Sequence, residues 1–399
     1  MSPTIRPELD STELPPSGGT PTAEVSFSTG GKARVTSRQV VLCVDTSGSM
    51  GVSDDDGVKK IERARRGARQ VLDELAPDDY LAVVGFTSTA SVLAPMSRWG
   101  DTSAASVEST IADMEATNGT DIEEGIEAAR RQFDGLPAGP SVVRRIVFLS
   151  DGEDWHDPDY YRSLAEEVAE DDVAIAAAGI GGDYDEDVII ALAEGSRGSP
   201  THLTDAADIE TYFEEEISEA GSVVATRPDL HVEAGEGMRL DEAFVAPPNA
   251  RTTGVETGDR EATIELPDLT TDEDVRVTMR FLAPPRQGGL EHELARLRLV
   301  GDEELAAETL TVEYAEDADE TAGREDIQVA HADAKVSAGI RDPDVASTDL
   351  AETVDGIERT NPDWDDVVDR LRGKLDESGE AGGSITAGIA RIRPEDDDQ

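Results

Sequence analysis

The chain of 399 residues has a single cysteine, Cys43, so it forms no internal disulfide and offers no thiolate cluster for zinc. Its five histidines, His156, His202, His231, His292 and His331, are scattered and form no H-E-x-x-H pair. Neither a G-x-S-x-G elbow nor a Walker A loop occurs, which argues against the commonest serine hydrolase and nucleotide-binding designs. No stretch reaches the about 18 consecutive apolar residues of a membrane span. The amino terminus, MSPTIRPELDSTELPPSGG, has no apolar signal core, so the expected location is cytoplasmic.

Positive charge is also scarce. Lys32, Lys59, Lys60, Lys335 and Lys374 are the only lysines, and 35 basic residues face 88 acidic ones for a net charge of -53. Phosphate binding needs a basic face, so neither nucleic acid nor an anionic membrane is an expected partner. The acids are interleaved with periodic apolar positions, unlike those of a disordered acidic chain. This is the pattern of a folded protein with an acidic, Arg-preferring surface, as in salt-accumulating halophilic microbes. Such a charge reports habitat at least as much as partners.

The most informative segment is VVLCVDTSGSM, residues 40–50. A short apolar run bounded by turn residues reads as a buried strand, and Cys43 within it as a small hydrophobe. The run stops at Asp45, and Ser47 and Ser49 follow at alternate positions. Ligands of open α/β sheets bind at that carboxyl edge. One carboxylate and two hydroxyls suit a hard cation. The plainer alternative is a strand followed by a capped turn. Two later segments repeat the theme. TNGTDI, residues 117–122, places Thr120 just before an amphipathic helix, and VVRRIVFLSDGED, residues 142–154, is a strand that stops at Asp151.

These motifs resemble those of the von Willebrand factor A domain with its metal-ion-dependent adhesion site, over about residues 36–222. Asp45, Ser47 and Ser49 match the first motif, Thr120 the second and Asp151 the third. The resemblance implies that these five residues hold Mg²⁺ or Mn²⁺, directly or through water, and that a carboxylate of a protein partner completes the octahedron. Asn118 departs from the pattern, since many relatives have Gly there.

From residue 38 to 222 strands and helices alternate, which predicts a mainly parallel, doubly wound sheet covered on both faces. Ile61, Ala64, Ala68, Val71, Leu72 and Leu75 share one helical face, and Ile209, Phe213 and Ile217 another. After residue 225 the period shortens: DLHVEA, REATIEL, DVRVTMRFLA, ELARLRLV and ETLTVEY read as strands of a β-sandwich over 225–318. AEVSFS, within 22–37, alternates as well and is expected to pair with that sandwich, so that the α/β domain is an insertion into it. Residues 323–378 return to helical spacing, either packing on the sandwich or presenting a docking surface. Residues 1–21 are expected as a flexible arm, and 379–399 as a flexible acidic tail.

The acids near the motifs, Asp54, Asp55, Asp56, Asp121, Glu153 and Asp154, are either halophilic surface or a rim that tunes partner choice. Trp155 is either a partner anchor or a core residue. Three functions compete. The first is a non-enzymatic, cation-dependent protein-binding module, adhesive or scaffolding. The second is an adaptor for a separate AAA+ ATPase in a chelatase-like or chaperone-like machine, as some relatives of the domain are. The third is a metal-dependent hydrolase using Ser47 or Ser49, which would need a base such as Asp45 or a histidine, His156 being nearest to Asp151.

A surface this acidic repels itself in the compact state. Folding is expected to fail in dilute buffer and to return at about 1 M salt, where the screening length is about 3 Å. A full cooperative thermal transition at about 0.05 M salt would contradict that expectation.

Overall fold

The structure is a computed structural model. It describes residues 3–380 apart from 30–34, 55, 118, 140, 153–155, 182–183, 247–250, 254, 256–259, 272–273, 302, 317, 319–323, 342–346 and 362–363. Two compact units form. One is Lys32–Thr226; the other combines Met1–Gly31 with Arg227–Gln399.

The first unit is built on a six-stranded sheet. Its spatial order is Ala90–Arg98, Tyr80–Phe86, Ser37–Asp45, Val142–Ser150, Val173–Ile180 and Pro200–Leu203. All neighbours run parallel except the edge strand Ala90–Arg98, which folds back antiparallel on Tyr80–Phe86. Alternate residues of each central strand face opposite layers, as strand geometry requires. Val40, Leu42 and Val44 pack with the helices α1 (Lys60–Glu74), α2 (Ala104–Ala112) and α6 (Asp208–Ser222). Val41 and Cys43 pack with α3 (Ile122–Arg130), α4 (Pro158–Glu170) and α5 (Glu186–Gly195). Burial pushes the Cys43 thiol far up, which suits an inert core residue.

Two arginines are buried at the amino ends of the central strands. Arg38 donates to Asp79 Oδ2 at 2.9 Å and to the Ile217 carbonyl of α6 at 3.0 Å. Arg145, opposite Val40 on the neighbouring strand, meets Glu216 of α6 at 3.1 Å. Their side chains are only 10% and 5% exposed, so each must be paired to be tolerated there.

The second unit contains two five-stranded sheets. In one, Thr4–Leu9, Thr22–Ser28, Arg276–Leu282, Arg239–Val245 and Arg251–Thr252 are neighbours in that order. In the other the order is Glu261–Glu265, Asp229–Ala234, Leu290–Val300, Glu304–Tyr314 and Glu13–Leu14. Val25, Phe27, Val277, Met279 and Phe281 are buried in the first sheet, and Leu230, Val232, Leu297, Leu299 and Val312 in the second. Thr22–Ser28 pairs antiparallel with Arg276–Leu282, so a strand from before the α/β unit joins strands from after it.

The amino terminus departs from the flexible arm expected over 1–21. Thr4–Leu9 is an edge strand antiparallel to Thr22–Ser28, and Glu13–Leu14 adds a short parallel pairing to Glu304–Tyr314. Ile5, Leu9 and Leu14 are buried. Pro7 obscures the alternation in the sequence, yet proline is tolerated on an edge strand.

The carboxyl-terminal helices are α7 (Glu325–Arg341), α8 (Ser347–Thr360) and α9 (Asp365–Glu380). Ala332, Val336, Val354, Trp364, Val368 and Leu371 cluster among them. Polar groups also tie α7 to the first sheet. Glu242 lies 3.1 Å from His331 Nε2, 2.7 Å from Lys335 Nζ and 2.7 Å from Arg280. Residues 381–399 of the expected tail lie outside the described residues.

Arg145→Met is expected to destabilise the first unit by about 3–5 kcal/mol, because Glu216 would keep a buried charge without its guanidinium. A fall in denaturant midpoint at unchanged slope is the readout. A second expectation concerns acid. Burial pushes the Glu242 carboxyl up, but His331, Lys335 and Arg280 outweigh it and hold it down at about 2. A depressed acid stabilises the fold above its unfolded pKa of 4.5, and that contribution disappears as pH falls towards about 2. The gap in melting temperature between wild type and Glu242→Gln should therefore narrow between those two pH values. A constant gap would contradict it.

Candidate metal centre

The site begins where the Ser37–Asp45 strand ends. This strand is central, and the chain leaves it towards Tyr80–Phe86 on one side before returning to Val142–Ser150 on the other. The carboxyl edge between Asp45 and Ser150 is therefore the topological switch point of the sheet, where a crevice opens.

Asp45 is fully buried. The Ser47 N–H donates to Asp45 Oδ1 at 2.7 Å, an Asx turn that folds the chain back over the carboxylate. Met50, also fully buried, anchors the following 3-10 turn, Gly48–Gly51. As a result the Ser47 and Ser49 hydroxyls are 2.8 Å apart, and Ser49 Oγ donates to Asp151 Oδ1 at 2.7 Å.

The second loop is tied to the first by the Thr117 N–H, which donates to the Thr46 carbonyl at 2.7 Å. Gly119 has φ +98°, and a Cβ there would lie 2.9 Å from Ser88 Cβ, so only glycine suits this turn. The turn delivers Thr120. A Cβ on Gly152 would lie 3.1 Å from Thr120 Oγ1 and 3.7 Å from Asp45 Oδ2. The bare backbone of Gly152 thus lets all three loops close on one point. Asp45, Ser47, Ser49, Thr120 and Asp151 share this rim.

Burial pushes the Asp45 carboxyl up to about 6, against the lowering effect of hydrogen bonds from Ser150 and Ser47, and the nearby Asp151 charge pushes it further. A buried carboxylate facing a second carboxylate is short of positive charge. That is a physical reason for a cation to enter. Among the described residues no group of three or more His, Cys, Asp or Glu is placed to hold a metal. The donors at this rim are two carboxylates and three hydroxyls, which fit a hard, oxygen-seeking dication far better than a soft one.

Two partners escaped the sequence reading. Ser150 Oγ donates to Asp45 Oδ2 at 2.7 Å, and Lys60 Nζ donates to Asp151 Oδ2 at 2.7 Å. Ser150 was visible as the residue before Asp151. Lys60 was visible only as one of five lysines.

Several of the nearby acids have structural work. Asp54 bonds Arg63 at 2.9 Å and accepts from the Val58 N–H, and Asp56 also reaches Arg63. Asp121 caps α3 by accepting from the Glu124 N–H at 3.1 Å. His156 stacks on Tyr160, with Nδ1 3.4 Å from the Tyr161 hydroxyl and Nε2 3.8 Å from Glu123. Asp55, Asn118, Glu153, Asp154 and Trp155 lie outside the described residues.

Comparison with known proteins bears on the family. Residues 40–153 match the model of the von Willebrand factor type A domain. An uncharacterized protein from Synechocystis sp. is 24% identical over 279 residues, covering 67% of this chain and 62% of that protein. The chain thus spans less than two thirds of this curated relative's length. Among solved structures, the von Willebrand factor type A protein from Catenulispora acidiphila is similar with a TM-score of 0.70 at 19% identity, over 97% of this chain and 89% of that one. The ArnB paralog VWA2 from Sulfolobus acidocaldarius gives 0.57 at 15% identity, over 97% and 98%. The sheet order, the helices on both faces and the family match agree: this chain contains a von Willebrand factor type A domain.

Proposed function

We propose that the chain is a cation-dependent protein-binding module, not an enzyme, whose A-type domain holds Mg²⁺ or Mn²⁺ and through it an acidic residue of a partner. The observation that carries this reading is the meeting of Asp45, Ser47, Ser49, Thr120 and Asp151 at the sheet's switch point. The carboxylates of Asp45 and Asp151 and the three hydroxyls would hold the metal. The metal would supply a Lewis-acidic position for an incoming carboxylate.

Two carboxylates just balance a dication. The bound ion would stay electrophilic, which a third protein carboxylate would prevent. A serine nucleophile is less well supported, since His156, the histidine nearest Asp151 in sequence, is engaged with Tyr160, Tyr161 and Glu123. In this reading the module works in a salt-rich cytoplasm, and the two five-stranded sheets of the second unit form a sandwich. An AAA+ ATPase is one class of partner compatible with such an adaptor.

Titration of the purified chain with Mn²⁺, followed by the spin resonance of free ion, tests the metal. Wild type should bind one ion, released by chelator, and Asp45→Ala should lose at least about tenfold in affinity. A glutamate-containing peptide should bind the Mn²⁺-loaded protein alone. Equal Mn²⁺ uptake by wild type and Asp45→Ala would end this proposal.

A further inference from the structure

We propose that Lys60 is a built-in counter-ion of the metal centre, weakening its grip on the metal and strengthening its grip on a partner's carboxylate. This rests on the metal-binding reading above and deepens it. The two oxygens of Asp151 are divided between different partners. Oδ1 accepts from Ser49, whose hydroxyl adjoins that of Ser47, so it faces the group of metal donors. Oδ2 accepts from Lys60 at 2.7 Å, away from Ser49.

This pair is unlike an ordinary surface ion pair. The Asp151 side chain is fully buried, and the Lys60 side chain is 20% exposed. At that depth an ammonium keeps far more of its field than in open solvent. Its position is set by the fold. Lys60 opens α1, which is fixed to the sheet by Ile61, Ala64 and Ala68. Its own N–H donates to the Val52 carbonyl at 3.1 Å. A Cβ on Gly181 would lie 3.6 Å from Lys60 Nζ, so the ammonium also lies against that neighbouring strand end.

The charge count gives the consequence. Two carboxylates and a dication sum to zero. Adding the Lys60 ammonium leaves the loaded centre at one positive charge. That excess repels the incoming metal and attracts an anionic ligand. The centre is thereby set to bind a carboxylate in preference to a neutral oxygen ligand. It also requires more free metal than two aspartates alone would. Lysine suits this role because it acts as a compact point charge on Oδ2.

The test compares wild type with Lys60→Met and Lys60→Arg as full-length chains, in salt that keeps them folded. Removing the charge should tighten Mn²⁺ binding by about tenfold or more, since the repulsion acts over a few ångströms in a partly buried site. The Mn²⁺-loaded Lys60→Met protein should bind a glutamate-containing peptide more weakly than wild type. Lys60→Arg should stay close to wild type on both counts. If Lys60→Met does not fold, judged by its thermal transition, Lys60→Gln makes the same comparison. Mn²⁺ affinity that is unchanged or weaker in the neutral variant overturns the inference and leaves the metal centre standing. Failure of wild type to take up Mn²⁺ would overturn the metal reading and this inference with it.

Discussion

Asp45 and Asp151 stand at the ends of adjacent parallel strands, both buried, with like charges pressed towards each other. Burying two carboxylates together costs free energy unless each finds hydrogen bonds and positive charge. Ser150 and the Ser47 N–H serve Asp45, and Ser49 and Lys60 serve Asp151. Asp45 still shows the cost, because burial lifts its carboxyl to about 6. The surrounding loops follow from that constraint. The Asx turn at Ser47, the left-handed Gly119 and the bare Gly152 each move an oxygen or a backbone amide closer to the two acids. A strain concentrated so locally is expected of a functional site.

The opposite end of the same sheet is held by the reverse charge. Arg38 and Arg145 enter adjacent strands at their amino ends and bond α6 through Ile217 and Glu216. Between the two ends, the strands are almost wholly apolar on both faces. Such strands have little to set their register, because a slip of one residue exchanges one apolar face for another. Polar groups at both ends remove that freedom. A slip would strand Arg145 without Glu216 and Asp45 without Ser150. The buried ion pairs at the base therefore help hold the oxygens at the rim in place, although the two sets share no direct contact.

How much of this was legible in the sequence varied with the source of order. The central strands of the α/β unit were readable because each is a short apolar run closed by turn residues, and its helices because their apolar stripes follow the helical period. The three motif segments could be named because Asp, Ser and Thr sit directly at strand or helix boundaries. Lys60 could not be placed, since only the fold shows that the start of α1 overhangs Asp151. The amino-terminal strand was hidden for another reason. In TIRPEL only Ile5 and Leu9 report burial, and Pro7 between them reads as a breaker until the strand is seen to lie at an edge. Pairings that join distant segments, such as Thr22–Ser28 with Arg276–Leu282, were accessible only as a guess from matching alternation.

The acidic composition poses a problem for any centre meant to capture a carboxylate. With 88 acidic residues, the chain carries its own competing ligands, several of them within a few residues of the rim. A tethered competitor has a high effective concentration, so even one free neighbouring acid would block the open position. The described acids beside the rim are engaged elsewhere. Arg63 holds Asp54 and Asp56, and Asp121 is committed to the first turn of α3. Desolvation pushes the Asp54 carboxyl up, but the Val58 N–H and Arg63 together outweigh it and hold it down, the mark of an anion satisfied where it is. Arginine suits this task because its guanidinium carries five N–H donors, enough to meet more than one carboxylate. The few cations of the first turns of α1 therefore divide the work. Lys60 bonds Asp151 at the rim, and Arg63 holds Asp54 and Asp56.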